Sequence, residues 1–137
     1  MIKIIYGPKG YGKTKIMLDQ VNNAGKNAKG NVVLITDKRF ETVSIDFNVR
    51  CVYTEEHNIN TTESFRGFIN GLLAGNSDIE YLFIDGLKRI IGTKMVGGKK
   101  LFDAIKVLQA EYPQLNVVVS VSSTYEDLPR YVKKYVK

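Results

Sequence analysis

The most constraining feature of this chain is a glycine-rich octapeptide, G-P-K-G-Y-G-K-T, which runs from Gly7 to Thr14. It follows directly on the apolar run Ile2–Tyr6, which predicts a short buried strand. After it, the residues Lys13–Ala24 carry apolar side chains at helical spacing and predict a helix that ends near Gly25. A strand, a tight turn and a helix in this order predict the first unit of a parallel α/β sheet.

The octapeptide has the residue types of a phosphate-binding loop, in the spacing G-x-x-x-x-G-K-[ST]. Its glycines permit positive φ and leave no side chain in the way of a phosphate. Successive amides can then point inward at an anion, beside the positive end of the following helix. The Lys13 ammonium can reach the β and γ phosphates, and the Thr14 hydroxyl can join a magnesium shell. The residues predicted to bind the nucleotide are Gly7, Pro8, Lys9, Gly10, Tyr11, Gly12, Lys13, Thr14 and Lys15.

Further along the chain, apolar runs alternate with amphipathic segments. Strands are predicted at residues 32–36, 81–85 and 116–122. Helices are predicted after an N-cap at Asn60, over 101–112, and at the basic end of the chain over 127–136. This alternation predicts an α/β fold with three α/β/α layers around a mostly parallel sheet. A length of 137 residues corresponds to one domain, predicted to span 1–137.

A different pattern begins at Thr42, where apolar and polar residues alternate. The apolar members are Val43, Ile45, Phe47, Val49 and Cys51. A period of two over this length predicts a half-exposed strand or a hairpin near an edge of the sheet.

A second candidate site element is the run Y-L-F-I-D, which ends at Asp85. Four bulky residues predict a buried strand, so Asp85 is expected at its carboxyl end. In parallel sheets ligands bind at the carboxyl ends of the strands, which is also where the octapeptide lies. A carboxylate in this position can hold Mg²⁺ through water, together with Thr14.

With these two motifs the chain resembles the P-loop NTPases, with Gly7–Thr14 as the Walker A motif and Tyr81–Asp85 as the Walker B motif. The resemblance implies a P-loop NTPase fold with ATP and Mg²⁺ as cofactors. The last strand resembles the sensor strand of the additional-strand, RecA-like branch, because it ends in polar residues. These are Ser120, Ser122, Ser123 and Thr124. The loop is also similar to that of type IV pilus twitching-motility ATPases, over the octapeptide only.

The catalytic base is less clearly marked than the loop. Many additional-strand ATPases have Glu directly after the Walker B aspartate, whereas this chain has Gly86. RecA-like members can carry the base at the end of another strand, where C-V-Y-T-E-E offers Glu55 and Glu56. The resemblance therefore implies a catalytic set of Lys13, Glu55, Glu56 and Ser120. The chain has five arginines, and the sequence assigns none of them as an arginine finger.

Three functions are compatible with these motifs. The first is a Mg-dependent, RecA-like ATPase with slow intrinsic hydrolysis that a partner, a second subunit or nucleic acid would accelerate. The second is a kinase of a small metabolite or nucleoside, in which Gly86–Lys100 is the only candidate lid. The third is a nucleotide-gated binding module with little turnover, suggested by Gly86. Guanine specificity is disfavoured, since no N-K-x-D motif occurs.

Composition bears on partners and compartment. The net charge is +6, and the basic residues are clustered. Residues 1–30 hold six lysines against one acid, and residues 86–100 hold five basic residues and no acid. Such clusters leave open a nucleic acid or an anionic protein as partner, as well as a homo-oligomer. A single cysteine and a single histidine disfavour a disulfide and a zinc site and suggest a reducing cytoplasm, and no apolar run predicts a membrane span.

Overall fold

The computed structural model of the protein describes residues 1–40 and 44–136, which form one sheet with helices on both faces. The strands are β1 (Ile2–Gly7), β2 (Asn31–Thr36), β3 (Val49–Tyr53), β4 (Ile79–Ile84) and β5 (Asn116–Ser122). The helices are α1 (Lys13–Asn27), α2 (Thr62–Gly75), α3 (Leu87–Ile91), α4 (Gly98–Glu111) and α5 (Arg130–Lys133), with a 3-10 turn at Thr54–His57.

The strands lie in the order β1-β5-β4-β2-β3, and every neighbouring pair is parallel. The predicted α/β class with a parallel sheet is therefore confirmed. Strands covered on both faces need nearly continuous apolar sequence. The run Val117–Val121 in β5 meets this requirement, because all five of its residues are buried.

Helices cover the two faces of the sheet unequally. Of the helices that the structure describes, α1 covers one face, and its Met17 and Val21 belong to a cluster that contains Leu34 and Phe83. The other four helices cover the opposite face around a larger cluster that contains Phe65. This arrangement is compatible with the predicted three layers. Among the helices of the described residues, none combines the length and apolar character that a bilayer crossing requires.

The register of the strands brings four chain segments to one edge of the sheet. Ile84 of β4 pairs with Val119 of β5 on one side and with Ile35 of β2 on the other. Asp85 and Ser120, each one residue further on, therefore lie level at the carboxyl edge. Gly7 at the end of β1 pairs with Ser122, so the octapeptide begins at the same edge.

Of the predicted strand from Thr42 to Cys51, the described residues 44–48 are not strand, and β3 begins only at Val49. β3 is the edge strand, as the alternation predicted, but it pairs in parallel with β2 and makes no hairpin. Phe47 is 91% exposed, in a turn that Asp46 stabilises by accepting the Asn48 amide on its side chain and the Val49 amide on its carbonyl. A local aspartate turn thus overrides the alternating pattern. Val43 lies outside the described residues.

Two helix boundaries also differ from the prediction. The N-cap of α2 is Thr61, not Asn60, and the Thr61 and Ser64 side chains each bond the other's backbone amide. The predicted terminal helix over 127–136 is reduced to the four residues of α5. Pro129 precedes α5, and a proline restricts the residue before it to extended conformations, so a helix cannot run through this point.

Candidate functional site

The octapeptide borders a cavity of about 410 Å³ at the carboxyl edge of the sheet. The loop and the start of α1 form one wall, and the ends of β4 and β5 together with α3 form the other. The lining residues are Lys9, Gly10, Gly12, Lys13, Thr14, Asp85, Arg89, Ser120 and Ser122. The structure thus brings together most of the predicted loop residues with Asp85 and Ser120.

The loop requires its glycines for their conformation, and open space lies in front of them. Gly10 and Gly12 have φ angles of 93° and 74°, a region that L side chains rarely adopt. A methyl group on either residue would meet no atom within 4 Å, so the space in front of the loop is open. Tyr11 lies outside this wall, 73% exposed, and covers Gly7. The backbone therefore forms the surface of the cavity here.

Helix α1 begins at the cavity without a side-chain cap. Its N-cap is Gly12, and its first turn contains no acidic residue. The first amides of a helix have no partner within the helix, and they carry the positive end of its dipole. An anion in the cavity would supply the missing acceptor for these amides.

Lys13 contributes a positive charge within the loop. Its ammonium donates to the Pro8 carbonyl at 2.9 Å, so the side chain folds back across the loop. Burial lowers the pKa of Lys13 below its usual 10.5, Asp85 raises it and Arg89 lowers it. A phosphate in the cavity offers this ammonium a charged acceptor in place of a neutral carbonyl.

Asp85 is held by two neighbouring strands, β5 through its side chain and β2 through its backbone amide. Its side chain is 2% exposed, and its Oδ1 accepts a hydrogen bond from the Ser120 hydroxyl at 2.9 Å. The Ser120 oxygen in turn accepts the Gly86 amide at 2.7 Å, and the Asp85 amide donates to the Ile35 carbonyl at 2.8 Å. Ser120 therefore orients Asp85. Its strand β5 also pairs with β1, which leads into the octapeptide.

The structure adds Arg89 and Asp37, which sequence reasoning did not identify. Arg89 donates from Nη2 to Asp85 Oδ2 and from Nε to Asp37 Oδ2, both at 3.2 Å. Asp37 directly follows β2, and its side chain is 10% exposed. The run V-V-L-I-T-D has the same form as Y-L-F-I-D, because both are apolar strands that end in aspartate. This likeness could have identified Asp37 from the sequence. Arg89 lies four residues after Asp85, the spacing of an ion pair on one helical turn.

The position of Arg89 explains why residue 86 is a glycine. The φ of Gly86 is 76°, and a side chain on it would overlap the Arg89 guanidinium. A glutamate at this position, as in many additional-strand ATPases, would therefore displace Arg89 from the two aspartates.

The two glutamates predicted as candidate bases lie elsewhere. Glu55 and Glu56 are exposed residues on the 3-10 turn after the edge strand β3, and neither lines the cavity. Glu56 accepts two hydrogen bonds from Arg39, at 2.9 and 3.2 Å. β2 separates β3 from β4, which places Asp37 between these glutamates and Asp85. A catalytic role for Glu55 or Glu56 stays a prediction.

The lining residues fit a polyphosphate with Mg²⁺. The open space beside Gly10 and Gly12, the uncapped start of α1 and Lys13 suit phosphate oxygens. Thr14 and Asp85 offer the metal a hydroxyl and a carboxylate. Within the part of the chain that the structure describes, no group of three or more His, Cys, Asp or Glu could hold a metal. Magnesium at nucleotide sites needs only one or two carboxylates, because the phosphates and waters supply the other ligands.

No protein-family model matches the chain, and no curated protein matches it closely enough to indicate a relationship.

Proposed function

We propose that this protein binds ATP with Mg²⁺ in the cavity at the carboxyl edge of the sheet, as a P-loop NTPase of the RecA-like type, and hydrolyses it slowly. One observation carries the proposal: a glycine loop with open space in front of it shares a cavity with Lys13, Thr14 and a buried Asp85. The position of β5 between β1 and β4 adds support, because the predicted sensor residue Ser120 contacts Asp85.

Each residue has a distinct role in this proposal. The amides of the loop and of the first turn of α1 bind the phosphates, and Lys13 turns from the Pro8 carbonyl to the β and γ phosphates. Thr14 and Asp85 would hold a magnesium ion, which when bound would supply positive charge to the phosphates. Ser120 keeps Asp85 in its orientation. Asp37 does not itself line the cavity, but it follows the strand next to β4 and bonds Arg89 of the cavity wall, so it is better placed than Glu55 or Glu56 to orient the attacking water.

Slow turnover agrees with the state of the two aspartates. Both are paired with one guanidinium, so neither is a free acceptor for a water proton. The same pairing favours the nucleotide-gated module as the second candidate function. The kinase alternative requires Gly86–Lys100 as a lid, yet this segment packs into the core through Leu87, Ile90 and Ile91.

The test is an equilibrium titration with a fluorescent ATP analogue and Mg²⁺. We expect Lys13→Ala to weaken binding at least about tenfold, since it removes a charge-assisted contact to phosphate. Lys26→Ala is the matched control, because it removes the same charge from the last turn of the same helix, about 20 Å away. Equal affinity of wild type and Lys13→Ala would contradict the proposal. Phosphate release into water, compared with transfer to a panel of acceptors, separates an ATPase from a kinase.

A further inference from the structure

Arg89 makes an unusual pair of contacts. It lies on α3, a helix of only five residues, and its guanidinium bonds two carboxylates that follow two neighbouring strands. The Arg89 side chain is 46% exposed, whereas Asp37 and Asp85 are 10% and 2% exposed. One half-exposed cation therefore holds two buried anions together.

Two buried carboxylates need such a cation. Burial of an unpaired charge is costly, and two like charges beside each other raise that cost further. Within the described residues, no other side-chain cation lies within 4.0 Å of the oxygens of Asp37 or Asp85. Arg89 thus supplies the counter-charge of these two carboxylates.

The same contact places Arg89 in competition with a metal. Ser120 donates to Asp85 Oδ1 and Arg89 donates to Oδ2, so the guanidinium charge lies directly beside the carboxylate that would hold a metal-bound water. Asp85 itself is fixed by Ser120 and by the Ile35 carbonyl, so Arg89 is the partner that can move. Arg89 lines the same cavity as the loop, so a guanidinium that leaves Asp85 could bind the phosphate oxygens of a nucleotide there, which guanidinium groups bind in two-pronged geometry.

We propose that Arg89 is a displaceable internal counter-ion, which occupies Asp85 in the free protein and gives it up when nucleotide enters. This inference rests on the proposed function of the cavity. It makes nucleotide and metal binding cooperative, since the phosphates draw Arg89 away and free Asp85 for the metal. By linkage, the metal strengthens nucleotide binding by the same factor.

The test measures binding of Mn²⁺ alone, by the electron paramagnetic resonance signal of the free ion. Arg89→Gln should bind Mn²⁺ about tenfold more tightly than wild type, because the competing charge-assisted bond is gone. Arg66→Gln, on the exposed face of α2, loses the same charge elsewhere and should bind as wild type does. Equal Mn²⁺ affinity in Arg89→Gln and wild type overturns the inference.

A second pair of variants keeps the test decisive if Arg89→Gln fails to fold. The double variant Asp37→Asn/Arg89→Gln removes the cation together with one of the two anions, so no extra buried charge is left unpaired. The single variant Asp37→Asn keeps the bond between Arg89 and Asp85 and is its reference. The double variant should bind Mn²⁺ more tightly than the single one, and equal affinity overturns the inference. The two tests have separate outcomes. A wild-type protein that does not bind ATP contradicts the proposed function, whereas the Mn²⁺ affinities decide whether Arg89 competes with a metal for Asp85.

Discussion

Two arginine–carboxylate groups lie at the carboxyl edge of the sheet, and they differ in burial. Arg39 pairs with Glu56 at 2.9 Å, and these side chains are 67% and 45% exposed. Arg89 pairs with Asp37 and Asp85 at 3.2 Å, where the carboxylates are 10% and 2% exposed. Water screens the first pair and scarcely reaches the carboxylates of the second. The longer contacts are therefore the more consequential ones, and the edge-strand pair is a surface contact.

The largest effect is expected from a substitution that removes Asp85 from the buried ion pairs with Arg89. Asp85→Ala leaves the Ser120 hydroxyl and the Nη2 of Arg89 without an acceptor, although Arg89 keeps Asp37. It should lower the free energy of unfolding by about 3 kcal/mol, the low end for a buried pair because Arg89 is partly exposed. Glu56→Ala removes a carboxylate from the exposed pair and should leave the unfolding curve unchanged. Urea denaturation of both variants measures the difference. Equal losses would show that the two groups do not differ in energy.

The next effect concerns turnover. Asp37→Asn should lower the rate of phosphate release from ATP about a hundredfold, since it removes the carboxylate that orients the attacking water. Glu55→Gln and Glu56→Gln should each retain the wild-type rate, because both residues are exposed beyond the edge strand β3, whereas Asp37 bonds Arg89 of the cavity wall. Steady-state phosphate release measures all three. A loss in either glutamate variant, with none in Asp37→Asn, would assign the base to the end of β3.

A smaller effect on stability is expected where a substitution intrudes on the space that the Arg89 side chain occupies. Gly86→Ala places a methyl group at positive φ and against the guanidinium, and should destabilise the protein by about 1 to 2 kcal/mol. Gly67→Ala is the matched control within α2, where a methyl group meets no neighbour. It should stabilise the protein by about 0.5 to 1 kcal/mol, through helix propensity. Thermal and urea unfolding would contradict the account if both changes had the same sign.

The smallest effect is the pH dependence that Lys13 contributes. Burial lowers its pKa in the folded protein below the 10.5 of the unfolded chain. Between the folded-state pKa and 10.5, the folded protein has lost the Lys13 proton while the unfolded chain still holds it. The free energy of unfolding therefore rises with pH across this interval. Lys13→Met should lack this contribution, whereas Lys26→Met should retain it. The difference between their unfolding free energies, measured from neutral pH to pH 10, should therefore change in the alkaline part of the range.

The sequence contained the local features of the fold and of the loop. Glycine spacing after an apolar run marks the turn between β1 and α1, and the buried run before Asp85 marks its strand, because both depend on neighbours in the chain. Asp37 and Arg89 depend on which strands are adjacent. β2 lies beside β4 although β3 and α2 separate them in sequence, and no local pattern specifies that order.

The other differences arose where a side-chain bond outweighs a periodic pattern. Asp46 closes a turn inside the alternating segment, so the strand starts only at Val49. Thr61 caps α2 through its reciprocal bonds with Ser64, although Asn60 is the better cap by residue preference. In both places the outcome depends on the geometry of one or two hydrogen bonds, which sequence spacing does not define.

The central claim is that the loop wall of the cavity binds the phosphates of MgATP. A ¹H–¹⁵N correlation spectrum recorded during a titration with MgATP tests it directly. We expect the largest shifts at the amides of Gly10, Gly12 and Thr14, together with movement of the Arg89 Nε–H signal. Saturating MgATP that leaves these signals in place, or that shifts only residues at the opposite edge of the sheet, would contradict the account.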